Sequence, residues 1–354
     1  MYLRELRLRN LRCFGNAAMS FSYPPEGNIT LLLGNNGAGK TTVLKAAAMA
    51  MLGQELAQSG FVPYLLVRSG KDSAEVEGWF DNGKHGGVRV HRRQDEEYLQ
   101  PHWWLSERKP EPFVVGYGAT RRVQDGEFSG HSLRKRRHPR YQRVAGLFEP
   151  YVELMPLELW YPTSPRREEV AELMNRLMPE ELRFDGEFIY RGLRLPFDAL
   201  SDGYRAYVAW ISDLLYHLAQ ASDGPMDEQG GLVLLDEIDL HLHPEWQQRI
   251  VETLRSGLPK LQFIVTSHSP LIAGSLDSKY ILVMEVGEDG SATAMSPDRS
   301  MYGMDAQQVL VSPLFGLEST RAAVAQEELK ALSQEATAEH PEKVLELMRR
   351  LSGR

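Results

Sequence analysis

The segment Ile29-Thr30-Leu31-Leu32-Leu33-Gly34-Asn35-Asn36-Gly37-Ala38-Gly39-Lys40-Thr41-Thr42 decides the fold. Ile29–Leu33 is an almost continuous apolar run, the pattern of a strand covered on both faces. It passes straight into a glycine-rich turn, and the alanine-rich run Val43–Leu52 behind it reads as a helix ending at Gly53. Strand, glycine loop and helix are the setting in which G-x-x-x-x-G-K-[ST] has a mechanism. Its glycines let backbone N–H groups curl around phosphate oxygens, and the helix N-terminus adds about half a positive charge. Lys40 supplies a point charge for the β- and γ-phosphates, and the Thr41 hydroxyl can ligate Mg²⁺. The expectation is a P-loop site in which Asn35, Asn36, Gly37, Ala38, Gly39, Lys40, Thr41 and Thr42 hold a nucleoside triphosphate.

Downstream, Leu232–Leu235 reads as a buried strand that delivers Asp236 and Glu237 at its end. Neighbouring strand residues point to opposite sides, so the two carboxylates can take different roles. Asp236 would hold Mg²⁺ through water, and Glu237 would activate the attacking water. Between the two motifs, Ser201 stands at the N-cap of a helix with Tyr204, Val208, Ile211, Leu215 and Leu218 on one face. A helix opened by Pro244 and strands over Gln262–Val265 and Tyr280–Val286 follow. Strands alternating with helices imply a largely parallel α/β sheet. Residues 54 to 200 are less legible: short strand-like pieces at Val88–Val90 and Pro112–Val115, a helix over Glu168–Leu177, and polar loops.

Composition narrows the classes. The chain has 354 residues, 42% of them apolar and 25% charged, as in ordinary globular proteins. Its formal charge of -8 excludes a uniformly basic nucleic-acid coat, though not a local basic patch. The single cysteine, Cys13, allows neither an intrachain disulfide nor a cysteine zinc cluster. No apolar run reaches about 18 residues, so no membrane span is expected. The N-terminal MYLRELRLRN alternates instead of forming an apolar signal block, and a cytoplasmic location is the expectation. Residues 121–143 carry eight Lys/Arg against Asp125 and Glu127. Arg134, Lys135, Arg136 and Arg137 are the candidates there for contact with DNA or RNA phosphates. A solvated loop, or arginines reaching nucleotide or partner carboxylates, is the other reading. Trp103 and Trp104 are either stacking residues or buried aromatics.

These motifs together resemble an ABC-class ATPase of the RecF/SMC/OLD type. The opening Asn10-Leu11-Arg12-Cys13-Phe14 is similar to the start of that group, and by this match Arg12 would lie near the nucleotide. Leu200-Ser201-Asp202-Gly203 resembles the signature motif, Asp236-Glu237 the Walker B pair and Asp239–His243 the D-loop. His268, in Thr266-Ser267-His268-Ser269-Pro270, falls at the switch histidine and would bond the γ-phosphate or the attacking water. The resemblance implies an α/β ABC-ATPase head with a mixed or parallel sheet, a short helical insertion lobe and a C-terminal helical tail. It implies two heads packed head to tail around ATP, with Ser201 and Gly203 of one capping the γ-phosphate held by the other. A plain helix cap is the other reading of Ser201-Asp202-Gly203, and a core histidine that of His268. His241 and His243 lack a third ligand in the sequence, which disfavours a metal site.

Tyr117-Gly118-Ala119-Thr120-Arg121-Arg122 and the HLHP and TSHSP pair resemble prokaryotic defence ATPases, and Met301–Gly316 with the two helical segments after it resembles the C-terminal region of the Septu PtuA kind. Gln124 is the candidate for the Q-loop glutamine. Sustained heptads are missing, so no long coiled-coil arm is expected. Ile281–Gly290 resembles a TOPRIM opening, but without a following Asp-x-Asp pair a closing strand of the ATPase sheet is the better reading. Beyond it, Leu329, Leu332 and Ala336 share one helical face. Val344, Leu347, Met348 and Leu351 share another, in a helix begun by Pro341. The expected division is 1–120 with the P-loop, 121–185 as the insertion, 186–316 with the signature, Walker B, D-loop and histidine, and 317–354 as the tail. The function implied is an ATP- and Mg²⁺-dependent ATPase, dimeric or higher, that regulates a separate effector such as an HNH nuclease. A RecF-like DNA-repair ATPase is the alternative.

Overall fold

Period-two burial in the N-terminal residues builds the first layer of the protein. In β1 (Leu3–Leu11) the leucines Leu3, Leu6, Leu8 and Leu11 are buried while Arg4, Arg7 and Arg9 are exposed. β1 pairs antiparallel with β2 (Phe14–Ser20) and with β4 (Ser73–Phe80). β5 (His85–Arg93) and β6 (Glu96–Pro101) complete a five-stranded sheet of order β2-β1-β4-β5-β6. Only isolated strand pieces were expected over much of this region. Its solvent face is polar and aromatic, which blurs the apolar alternation. The computed structural model describes residues 1–94, 96–101, 112–121, 139–315, 317, 319–321, 323–335 and 341–352. These belong to two units, Met1–Gly303 and Met304–Arg354.

The second sheet of the first unit has the order β14-β13-β3-β12-β11-β7. β3 (Ile29–Gly34) lies in its middle, parallel to β12 (Leu261–Thr266) and β13 (Ile281–Val286). β11 (Gly231–Leu235) is parallel to β12 and to β7 (Phe113–Tyr117), and β14 (Ala292–Met295) closes the edge antiparallel to β13. The Ile281–Val286 strand is therefore part of the sheet that carries the P-loop.

α1 (Lys40–Gln58) packs against strands of both sheets, which explains its composition. A helix enclosed on nearly every side needs apolar, mostly small residues all round, and Ala46, Ala47, Ala48 and Ala50 are fully buried. Gly53 does not end this helix as expected. The backbone departs from helical geometry at Leu52 and then resumes, because Leu56 one turn on is also fully buried. The two sheets are further tied by Gln262, a wholly buried glutamine in β12. Its Oε1 accepts the Leu3 N–H at 2.8 Å, and its Nε2 donates to the carbonyls of Leu3 (2.7 Å) and Ser22 (2.9 Å).

Short helices α2 (Pro139–Gln142), α3 (Ala145–Phe148) and α4 (Leu157–Trp160) lead to α5 (Arg167–Leu177), which packs on α6 (Asp202–Ala221). A three-stranded sheet of β8 (Leu182–Phe184), β9 (Phe188–Tyr190) and β10 (Leu193–Leu195) lies between α5 and α6 in sequence. In α6, Val208, Ile211, Leu215 and Leu218 are fully buried, while Tyr204 at the open end is half-buried. After β11 the helix opened by Pro244 breaks at Gln248, giving α7 (Pro244–Gln247) and α8 (Ile250–Gly257). α9 (Pro270–Gly274) follows β12.

The second unit contains α10 (Ala306–Leu310), opened by a capping box between Asp305 and Gln308. α11 (Ala323–Glu335) and α12 (Pro341–Ser352) form a hairpin with an Arg350–Glu328 ion pair of 2.9 Å. Leu329, Leu332, Val344 and Leu347 are half-buried, whereas Met348, expected on the same face, is exposed.

Candidate nucleotide-binding site

The P-loop needs backbone shapes that few residues adopt. Gly37 and Gly39 have φ of +83° and +100°. A Cβ on Gly39 would stand 2.7 Å from the Cys13 sulfur, so only glycine fits there. Ala38 is buried and its N–H bonds the Asn35 carbonyl at 3.1 Å, which closes the turn. Lys40 opens α1 and curls back, donating to the carbonyls of Gly34 (2.6 Å) and Asn35 (3.2 Å). Burial lowers its pKa, and the carboxylates of Asp236, Glu237 and Asp239 counter that shift.

A cavity of about 320 Å³ opens over this loop. Asn36, Gly37, Gly39, Lys40, Thr41 and Thr42 line one side, and Asp236, Glu237 and His268 line the other. Arg12 and Cys13 complete the wall of this cavity. Its Nε is buried without a hydrogen-bond partner among the described residues, an unmet donor beside an anion site. Lys45, one turn into α1, has its pKa lowered by burial and by the Arg12 charge, with Asp236 countering the shift. His268 is exposed and faces the cavity, so it is not a core histidine. Asn35 and Ala38 shape the loop and do not line the cavity.

The carboxylate pair departs from the expectation of opposite sides. β11 ends at Leu235, and Glu237 has φ of +49°, a left-handed turn that brings both carboxylates to the same cavity. Asp236 accepts from Thr41 Oγ1 at 2.8 Å and from Thr266 Oγ1 at 2.6 Å. Thr266 Oγ1 in turn accepts the Glu237 N–H at 2.7 Å, so one hydroxyl orients both acidic residues. Arg121 Nη2 donates to the Glu237 carbonyl at 2.7 Å. Neither Thr266 nor Arg121 was a candidate site residue. Thr266 lies inside the TSHSP segment and Arg121 inside the Tyr117–Arg122 stretch, but no spacing rule marks either.

The donors present fit Mg²⁺. Thr41 Oγ1 and the Asp236 carboxylate meet in a hydrogen bond of 2.8 Å at the cavity wall, so Thr41 would hold the ion directly and Asp236 through water. Both are hard oxygens. A site with so few protein ligands leaves the remaining positions to phosphate and water, as Mg²⁺ prefers.

Ser201 and Gly203 lie elsewhere. With Tyr190, Tyr204, His241 and Trp246 they line a second cavity of about 620 Å³, and no residue lining it lines the first. Ser201 occupies the N-cap position of α6, yet its hydroxyl makes no capping hydrogen bond. The plain helix-cap reading therefore loses its main interaction. A Cβ on Gly203 would come within 2.7 Å of the His241 carbonyl, so the signature and the D-loop touch backbone to backbone. His243 Nδ1 accepts the Glu245 N–H at 3.4 Å and caps α7.

Arg134, Lys135, Arg136 and Arg137 lie outside the described residues, as do Gln124, Trp103 and Trp104. Within the same basic stretch, Arg140 pairs with Glu55 of α1, and Arg143 stacks over Phe113 at 5.5 Å. Together with Arg121, these arginines contact buried groups of the head.

Two family models match the chain: residues 5–125 fit one described as "AAA domain", and residues 158–274 one described as "AAA domain, putative AbiEii toxin, Type IV TA system". The Septu protein PtuA of Bacillus mycoides (strain KBAB4) is 27% identical over 335 residues, covering 90% of this chain and 45% of that protein. The Retron Vc95 probable ATPase of Vibrio cholerae is 36% identical over 129 residues, covering 36% of this chain and 25% of that protein. The chain thus spans less than half the length of the curated relatives it matches. Among solved structures, an SmcHead bound to the C-winged helix domain of ScpA is similar in fold. Its TM-score is 0.53 at 18% identity, covering 85% of this chain and 99% of that one.

Proposed function

We propose, for a chain that carries an ABC/SMC-type ATPase head, that it binds and hydrolyses ATP and that ATP joins two heads head to tail. The observation that carries this reading is the division of the machinery between two cavities. Lys40, Thr41, Asp236, Glu237 and His268 line one, and Ser201 and Gly203 line the other. The two sets share no lining residue. A two-fold arrangement brings the signature of each chain onto the nucleotide of its partner, and ATP then becomes part of the interface.

Within that arrangement the P-loop amides and Lys40 bind the phosphates, helped by the α1 N-terminus. Thr41, and Asp236 through water, would hold Mg²⁺, which when bound would supply charge neutralisation at the phosphates. Glu237 accepts the proton of the attacking water, and His268 bonds the γ-phosphate or that water. Ser201 and Gly203 of the partner cap the γ-phosphate, and hydrolysis loosens the pair. The kinship with Septu and retron ATPases supports a role in prokaryotic anti-phage defence, in which the ATP-driven closure governs a separate effector, a nuclease of HNH type being the expected kind.

Mixing inactive variants tests the head-to-tail pairing. Lys40→Ala and Ser201→Arg chains should each be inactive alone. Mixed, they should regain activity, because a heterodimer joins the intact P-loop of one to the intact signature of the other. No recovery, with heterodimers demonstrably formed, would overturn the trans arrangement.

A further inference from the structure

Glu237 holds a backbone conformation that its own chemistry disfavours. A left-handed φ of +49° in a residue bearing a Cβ is sterically disfavoured and persists only where the surroundings over-determine it. Two contacts do so. The Glu237 N–H is taken by Thr266 Oγ1, and its carbonyl oxygen accepts from Arg121 Nη2, each at 2.7 Å. The peptide groups on both sides of the residue are therefore fixed, which fixes the direction in which the side chain leaves the backbone.

Arg121 is an unusual choice for such a contact. Its guanidinium is buried, and its pKa is pulled down to about 10 by that burial, with Asp236, Glu237 and Asp239 countering the shift. It stays charged at neutral pH. Nη1 is shut off from water and has no hydrogen-bond partner among the described residues. Asp239 Oδ1, in the D-loop, is buried and unmet in the same way. An uncharged donor would hold the carbonyl without burying a cation, so the charge answers to the three carboxylates around it.

We infer that Arg121 is a positioning residue for hydrolysis: by clamping the Glu237 carbonyl among the acidic groups of the site, it aims the Glu237 carboxylate at the attacking water. Arg121 acts through Glu237 and does not itself line the cavity over the P-loop. The inference rests on the reading of Glu237 as the base.

The test compares Arg121→Gln, Arg121→Lys, Glu237→Gln and the double variant Arg121→Gln/Glu237→Gln in the full chain. The readouts are kcat, ATP affinity in the presence of Mg²⁺ and thermal unfolding. Arg121→Gln should lower kcat about 30-fold or more, with ATP affinity within threefold of wild type, and Arg121→Lys should restore most of the loss. In the Glu237→Gln background the same change should cost almost nothing further, because residues acting as one unit are not additive. Unchanged kcat in Arg121→Gln would overturn the inference, as would a full further loss in the double variant or an equal fall in ATP affinity. Should Arg121→Gln fail to fold, Arg121→Lys alone decides: a kcat a few-fold below wild type at unchanged ATP affinity supports the clamp, and a wild-type kcat or a reduced affinity overturns it. Wild-type hydrolysis by Glu237→Gln would instead remove the reading of the base, and the inference with it.

Discussion

Lys40 and Glu237 face the same cavity but act on different parts of the reaction, and their variants should separate accordingly. Lys40→Ala removes a buried ammonium placed for the phosphates, so ATP binding measured by calorimetry should be lost. Glu237→Gln keeps the shape and should still bind ATP. Its hydrolysis should fall about 10²- to 10⁴-fold, the usual contribution of a general base, and ATP-bound dimers should accumulate in light scattering. Lys40, Thr41, Asp236 and Glu237 were legible in the sequence because phosphate and Mg²⁺ chemistry demands those side chains at fixed places in strand-loop-helix units. Thr266 and Arg121 were not. Their roles depend on hydrogen bonds to a backbone turned left-handed at Glu237, and no local pattern announces such a turn in a glutamate.

Secondary elements were legible where one environment governs a whole segment. β3, β11 and β12 are enclosed and therefore mostly apolar; α6 has one buried face and shows it. α1 was read too short, because its continuation beyond Gly53 is dictated by the packing of Leu56 and not by helix-ending signals. The antiparallel β4–β6 region was hidden because arginines, histidines and aromatics stack on its outer face, as Arg7 does over Trp79 at 4.3 Å and His91 against Tyr98 at 5.1 Å. Gln262 shows how a single polar residue in an apolar strand can join two sheets. Gln262→Leu would leave the N–H and C=O of Leu3 and the carbonyl of Ser22 without that partner. Urea unfolding should register a loss of about 3 kcal/mol, mostly from the orphaned groups.

At the scale of the whole molecule, every candidate residue of the two described cavities lies in the unit Met1–Gly303. The α11–α12 hairpin of the other unit buries none of its described side chains and leaves Val324, Leu345 and Met348 largely exposed. Net charge was the least informative property read from the sequence, since buried arginines such as Arg121 and Arg140 count towards it while serving the interior. Whether the head governs an effector is a question for the assembled system. Purification through a tag on this chain from its native host should bring down a nuclease-active companion, and a chain recovered alone under ATP-bound conditions would count against that role. The position of β3 has one more consequence. With parallel neighbours on both sides and every residue from Ile29 to Leu33 buried, it belongs to the part of the molecule that opens last. Fraying at the ends of the sheet or the loosening of surface helices leaves the phosphate cradle standing, so the loss of nucleotide binding marks cooperative collapse of the core and not an early, local melting.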